Sequence, residues 1–220
     1  MIVYATHKGG RYLNWEESLL EQPEGKRNLY INLTNRCNCA CTFCLRQKKK
    51  MAESSSLWLK EEPTVDEVKN ALEKEVPWEY VADIVFCGFG EPTLRQKELT
   101  ELLHYVKETH GEHKTRLNTN GLGDLANGRG IAADFAGVLD TVSISLNASN
   151  ETRYLELTRA KYGAESFGAM LKFAQSCKKY VPNVIMTVVD NVEDGAEIAK
   201  CRAICDKYGL TLRVREYEDS

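Results

Sequence analysis

A chain of 220 residues can bury about 70% of its unfolded surface in one core, so it folds without disulfide staples. Its 43% hydrophobic and 28% charged residues, with no apolar run near 18 residues, exclude a fibrous, disordered or helical membrane-spanning chain. A formal charge of -3, from 29 basic and 32 acidic side chains, offers nucleic acid or acidic lipid no global attraction. The opening MIVYATHKGG has no apolar stretch followed by a small-residue cleavage site, so the expected setting is cytoplasmic and reducing.

Residues 1–27, with Ile2 to Tyr4 and then Gly9-Gly10 before Tyr12, are expected to form a cover segment or small hairpin. Residues 28–220 are expected to form one domain. In Leu29-Tyr-Ile-Asn-Leu-Thr34, apolar and polar residues alternate as on a strand with unlike faces. After a basic run at 48–50 and a serine-rich connection, Thr64 opens a helix with Glu67 in capping-box position. Val65, Val68, Leu72 and Val76 form its apolar stripe. A strand over 83–88, a turn over 89–93 and a helix marked by Leu99, Leu102, Leu103 and Val106 follow. Further strands are expected at 114–118, 141–147, 184–189 and 210–216, with helices at 165–180 and 193–208.

This βα alternation predicts six main strands, too few for a closed eight-stranded barrel. Strands covered by helices on both faces would be nearly all apolar. Here Tyr30, Asn32 and Thr34; Arg116, Asn118 and Asn120; Ser143, Ser145 and Asn147; Thr187; and Arg213 and Arg215 form polar alternates. They fit the inner wall of an α/β partial (β/α)6 barrel, although polar strand ends at one face of a flat sheet would give part of the same pattern.

Four of the eight cysteines, Cys37, Cys39, Cys41 and Cys44, fall in one loop after the first strand. Clustered thiolates suit iron or zinc. Cys37, Cys41 and Cys44 have the spacing C-x3-C-x2-C, with aromatic Phe43 before the last, and this resembles the ligand motif of the radical S-adenosylmethionine (SAM) superfamily. The resemblance implies a 4Fe-4S cluster held by three thiolates, with one iron left for the amine and carboxylate of SAM. It further implies reductive cleavage of SAM to a 5'-deoxyadenosyl radical, with flavodoxin or ferredoxin as reductant. Cys39 is then a non-ligand.

The passage Cys87-Gly88-Phe89-Gly90-Glu91-Pro92 resembles the superfamily's Gly-Gly-Glu-Pro turn, with Phe89 in place of the first glycine, and so implies SAM contacts at Gly88, Phe89, Gly90 and Glu91. Asn118, Asn120, Ser145, Asn147 and Thr187 are carried over as further contacts to the cosubstrate. Within the superfamily, the passages around Cys37, Gly90, Asn120, Ser145 and Arg213 are most similar to the TatD family-associated radical SAM proteins.

Arg213 and Arg215 lie two apart on one strand face. With Arg116 they are expected to clamp the carboxylate or phosphate of an anionic small molecule or peptide; an internal salt-bridge set is the plainer alternative. Cys87 reads as a strand-core cysteine, and Cys177, Cys201 and Cys205 as helix-core cysteines. Two rival functions remain at this level. One is an activating enzyme that places a glycyl radical in a protein partner. The other is a zinc-stabilised nucleic-acid module using Arg46 and Lys48 to Lys50, which the acidic balance disfavours.

Overall fold

In the computed structural model, which describes residues 1–7, 10–48, 56–190, 192 and 194–216, eight strands form one sheet in the order β2-β1-β3-β4-β5-β6-β7-β8. The strands are β1 (Val3–His7), β2 (Arg11–Leu13), β3 (Arg27–Ile31), β4 (Val81–Phe86), β5 (Lys114–Thr119), β6 (Thr141–Ser145), β7 (Asn183–Val189) and β8 (Thr211–Arg215). From β3 to β8 every neighbouring pair is parallel. These are the six strands the alternation predicts. The basic run at 49–50 and the connection at 51–55 lie outside the described residues.

The amino-terminal segment does more than cover the barrel. β1 pairs antiparallel with both β2 and β3, so the hairpin extends the sheet. Between β2 and β3 runs α1 (Trp15–Glu21), opened by an Asn14 and Glu17 capping box and not anticipated from sequence.

Helices α3 (Val65–Glu75), α4 (Gln96–Thr109), α7 (Glu165–Cys177) and α8 (Gly195–Tyr208) pack on one face of the sheet. The shorter α2 (Leu45–Lys48), α5 (Gly123–Asn127) and α6 (Glu151–Thr158) lie in the connections that follow β3, β5 and β6. The Thr64 and Glu67 capping box is present at α3 as expected. Ile31, Ile84, Phe86, Leu117, Val142, Ile144 and Met186 are buried against Leu72, Leu99, Leu102, Leu103, Val106 and Phe173 in one core. Each such side chain contributes roughly 1.5–3 kcal/mol on burial. None of the described helices is long and apolar enough to cross a membrane.

The opposite strand face is the polar one. Registers Val85↔Arg116, Asn118↔Ser143 and Ser145↔Thr187↔Arg213 put these side chains in rows, because residues two apart on a strand share a face. A cavity of about 350 Å³ is walled by Tyr4 and Tyr12 from the hairpin and by Arg215 from β8, so the sheet is rolled until its distant strands face each other. The architecture is an α/β partial barrel with a polar lumen.

Two strand ends differ from the sequence expectation for local reasons. β3 stops at Ile31 because Asn32 turns its side-chain amide to Leu57 O at 2.7 Å. β6 stops at Ser145 because the N–H groups of Leu146 and Asn147 both donate to Thr187 O, which leaves Asn147 at φ 63°.

Candidate active site

The cysteine loop leaves β3 at the carboxyl end of the parallel strands, where open α/β folds place their ligands. It is pinned on two sides. Asn35 exchanges side-chain hydrogen bonds with Leu59 O (2.7 Å) and Leu59 N (3.0 Å), and Arg36 grips Glu62 through two N–H groups at 2.6 and 2.9 Å. On the other flank Ala40 N and Thr42 N donate to Thr158 O and Leu157 O of α6. A Cys44 N to Cys41 O bond at 3.2 Å tightens the turn, and Arg46 donates to the carbonyls of Asn35 and Cys39.

All four loop thiols are free. Cys41 and Cys44, with Phe43 and Arg46, line the 350 Å³ cavity; Cys37 is half-buried and Cys39 is buried in the core. A hydrogen bond from the Cys39 thiol, helped by the Cys39 N–H and the charge of Arg46, brings the Cys37 thiol down to about 7 against the opposing effect of burial. The same Cys39 thiol lowers Cys41, whereas its bonds to both neighbours raise Cys39 itself. Burial raises Cys44.

Among the described residues no three His, Cys, Asp or Glu side chains are drawn around a single-ion site. The fit of a cluster therefore rests on the donors: free thiols, two of them biased toward thiolate and two facing a cavity with an arginine beside them. These suit a thiolate-bound iron–sulfur cluster.

The Gly88 to Glu91 turn is fitted closely to this loop. A Cβ on Gly90 would lie 2.3 Å from Thr34 O and 2.5 Å from Arg36 O, and one on Gly88 would lie 2.0 Å from Asn32 Oδ1. Glu91 N donates to Arg36 O at 2.8 Å. The Glu91 side chain is buried, and its oxygens accept from Thr93 N, Thr93 Oγ1, Thr119 Oγ1 and Asn120 N at 2.7–3.1 Å. Burial raises its carboxyl, and these donors oppose the shift. Glu91 thus joins the ends of β4 and β5 beneath the loop.

The remaining predicted residues divide between the cavity and its surroundings. Phe43, Gly88, Phe89, Asn118, Ser145 and Arg215 line the cavity. Asn118 Oδ1 is buried without a hydrogen-bond partner. Asn120 turns instead toward the loop, with Nδ2 at 2.5 Å from Asn38 Oδ1, 3.6 Å from Cys39 Sγ and 3.8 Å from Cys37 Sγ. Thr187 is buried, its hydroxyl donating to Ile144 O at 3.4 Å, and Asn147 is buried at the bend after β6. Arg213 donates to Ser143 Oγ at 3.2 Å, and Arg116 presents a buried Nε with no partner.

Sequence reasoning missed part of the wall. Tyr4, Thr6, His7 and Tyr12 of the hairpin line the cavity, as does Cys87, which faces the lumen rather than the helix-packed core. Tyr4 stacks on Tyr30 with ring centroids 5.1 Å apart, and its hydroxyl donates to Cys87 O at 3.2 Å. The alternation of Tyr4 with Thr6 was the available signal. Cys177, Cys201 and Cys205 are buried on α7 and α8 as expected.

This chain is similar to GTP 3',8-cyclase 2 of Mycobacterium tuberculosis (strain ATCC 25618 / H37Rv), with 28% identity over 191 residues that cover 86% of the chain and 49% of the relative. It is 36% identical over 139 residues to the GTP 3',8-cyclase of Corynebacterium glutamicum (strain R), covering 60% of the chain and 34% of the relative. The chain thus spans about half the length, or less, of these curated relatives. Among solved structures its fold matches Streptococcus suis SuiB bound to precursor peptide SuiA, with TM-score 0.63 and 17% identity over 91% of this chain and 42% of that one. It also matches a radical SAM methyltransferase from Sphaerobacter thermophilus, with TM-score 0.60 and 15% identity over 97% and 61%. The family model described as Radical SAM superfamily matches residues 31–201, from the end of β3 through the cysteine loop, the Gly-Glu-Pro turn and the lumen strands into α8, and the chain belongs to that superfamily.

Proposed function

We propose that this radical SAM enzyme reductively cleaves SAM above the cysteine loop and abstracts hydrogen from an anionic small-molecule or peptide substrate held in the lumen. One observation carries the reading: two thiols of the C-x3-C-x2-C loop open onto a cavity that Arg215, Asn118 and Ser145 also line. When bound, a 4Fe-4S cluster supplies the electron that breaks the sulfonium of SAM.

The chain's own groups do the rest. Cys37, Cys41 and Cys44 hold the cluster. Gly88 and Gly90 admit close backbone approach at the turn, and Asn118 offers its unpartnered carbonyl oxygen to a donor such as a ribose hydroxyl. Phe43, Phe89 and the tyrosines of β1 to β3 give an apolar wall that limits water around a reactive carbon. Arg116, Arg213 and Arg215 supply positive charge for the substrate. The TatD family-associated group remains the nearest kin by these motifs, with flavodoxin or ferredoxin as the expected reductant in a reducing cytoplasm.

The test is anaerobic reconstitution, reduction and quantification of 5'-deoxyadenosine formed from SAM. We expect production by the wild-type protein and by Cys39→Ala, and none by the Cys37, Cys41 and Cys44 triple-alanine variant. Iron-loaded, reduced wild-type protein that forms none would overturn the proposal.

A further inference from the structure

The three lumen arginines occupy successive depths. Arg213 shares a row with Ser145 and Thr187; Arg215 lies one same-face step nearer the cysteine loop, and its side chain reaches the cavity wall there. Arg116 stands one step below Asn118 and Ser143, a same-face step on a strand being about 6.6 Å. Arg213 does not extend level with its own row: its Nη2 bonds Ser143 Oγ one row down, toward Arg116.

No carboxylate balances this charge. Among the described residues none of the three arginines forms a salt bridge, and Glu216, at the rim beside Arg215, pairs with none of them. The buried Nε atoms of Arg116 and Arg213 both lack a hydrogen-bond partner. Burial, and then the charges of Arg116 and Arg215, hold the Arg213 guanidinium below the usual arginine range, while Tyr30 opposes the shift. An internal salt-bridge set, the plainer sequence reading, is absent among the described residues. Arg213 and Arg215 also wall a second cavity of about 490 Å³ with Phe43 and Leu45, which gives the arginine wall a second open side.

We infer that Arg116, Arg213 and Ser143 form a phosphoryl-binding subsite at the deep end of the lumen, so that the substrate is a phosphorylated compound held with its anion down and its reacting carbon up toward the cysteine loop. This deepens the lumen reading above and rests on it. A planar carboxylate is satisfied by a single guanidinium fork, whereas a tetrahedral phosphoryl group offers separate oxygens to forks from β5 and β8 and to the Ser143 hydroxyl. A dianion also offsets converging positive charge better than a monoanion does.

Equilibrium dialysis of radiolabelled orthophosphate against anaerobically reconstituted protein tests this, with SAM cleavage measured on the same preparation. We expect one saturable site per chain. Arg116→Gln and Arg213→Gln should each weaken it about tenfold or more, consistent with loss of a charge-assisted hydrogen bond. Arg129→Gln, which removes a surface partner of Asp134, should leave it unchanged, and Arg213→Lys should fall between. Far-UV circular dichroism and unchanged cluster absorbance verify that each variant is folded and loaded. Absence of saturable binding, equal loss in Arg129→Gln, or unchanged binding in both lumen variants would overturn the subsite; displacement of orthophosphate by equimolar malonate would overturn its phosphoryl selectivity. Phosphate binding without SAM cleavage would sink the radical reading and spare the subsite, and the converse result would do the reverse.

Discussion

Gly90 and Asn120 show how single residues adjust the cysteine loop from outside the cavity. The two oxygens that a Gly90 Cβ would strike belong to backbone, so the loop itself would have to move. Gly90→Ala is expected to cost about 2 kcal/mol, the usual scale of overpacking, and to lower both melting temperature and iron bound per chain. Unchanged values of both would show that the fit is looser than these distances imply. Gly88→Ala should cost less, because the obstruction is the Asn32 side chain, which can rotate. Asn120 donates toward the sulfurs of Cys37 and Cys39, and hydrogen bonds to thiolates stabilise the reduced, more negative cluster. Asn120→Leu is therefore expected to lower the cluster's midpoint potential in a redox titration followed by electron paramagnetic resonance. A variant that loses only thermal stability would assign Asn120 a structural role alone. Sequence placed Asn120 near the site by its motif, but not its direction, since Thr119 and Asn120 are both anchored by Glu91 from the neighbouring strand.

At the scale of elements, the barrel floor is joined by one carboxylate. Asp140, just before β6, accepts from Thr115 N at 2.9 Å and Thr115 Oγ1 at 3.1 Å on β5, and pairs with Lys107 of α4 at 3.2 Å. Burial pushes its carboxyl up, but the Thr115 and Lys107 bonds together outweigh that and leave it below the ordinary 3.8. Because the folded value is depressed, the stabilisation is complete above 3.8 and is lost as pH falls through the folded value. Asp140→Asn should therefore melt lower than wild type at neutral pH, with the gap shrinking below about 3.8; a gap independent of pH would refute the linkage. The α3 start was legible for a different reason: a capping box spans four consecutive residues, so Thr64 and Glu67 announce it locally. The Asp140 bridge joins residues 25 apart and left no such trace.

For the molecule as a whole, the hairpin decides whether the lumen is walled. Tyr4 is only 2% exposed and links β1 to Tyr30 of β3 and to Cys87 beyond β4. Tyr4→Ala is expected to destabilise the protein by about 3–5 kcal/mol, as removal of a large buried aromatic does. If the hairpin folds with the barrel, tryptophan fluorescence, to which Trp15 of α1 contributes, and far-UV circular dichroism should report one coincident unfolding transition. Two separated transitions would show that the hairpin docks on a finished barrel.

The sequence by itself determined the six parallel strands, their unlike faces and the thiolate donors, because strand alternation and the cysteine spacing are written in consecutive residues. The lumen-facing set Tyr30, Asn118, Ser145 and Arg215 was therefore legible from alternation alone. Only the tertiary structure decided that β1 pairs with β3, that Cys87 faces the cavity, that Glu91 bridges two strand ends, and that Arg213 leans down to Ser143. Each depends on contacts between residues distant in the chain, which are set when the sheet rolls and its far strands come to face one another.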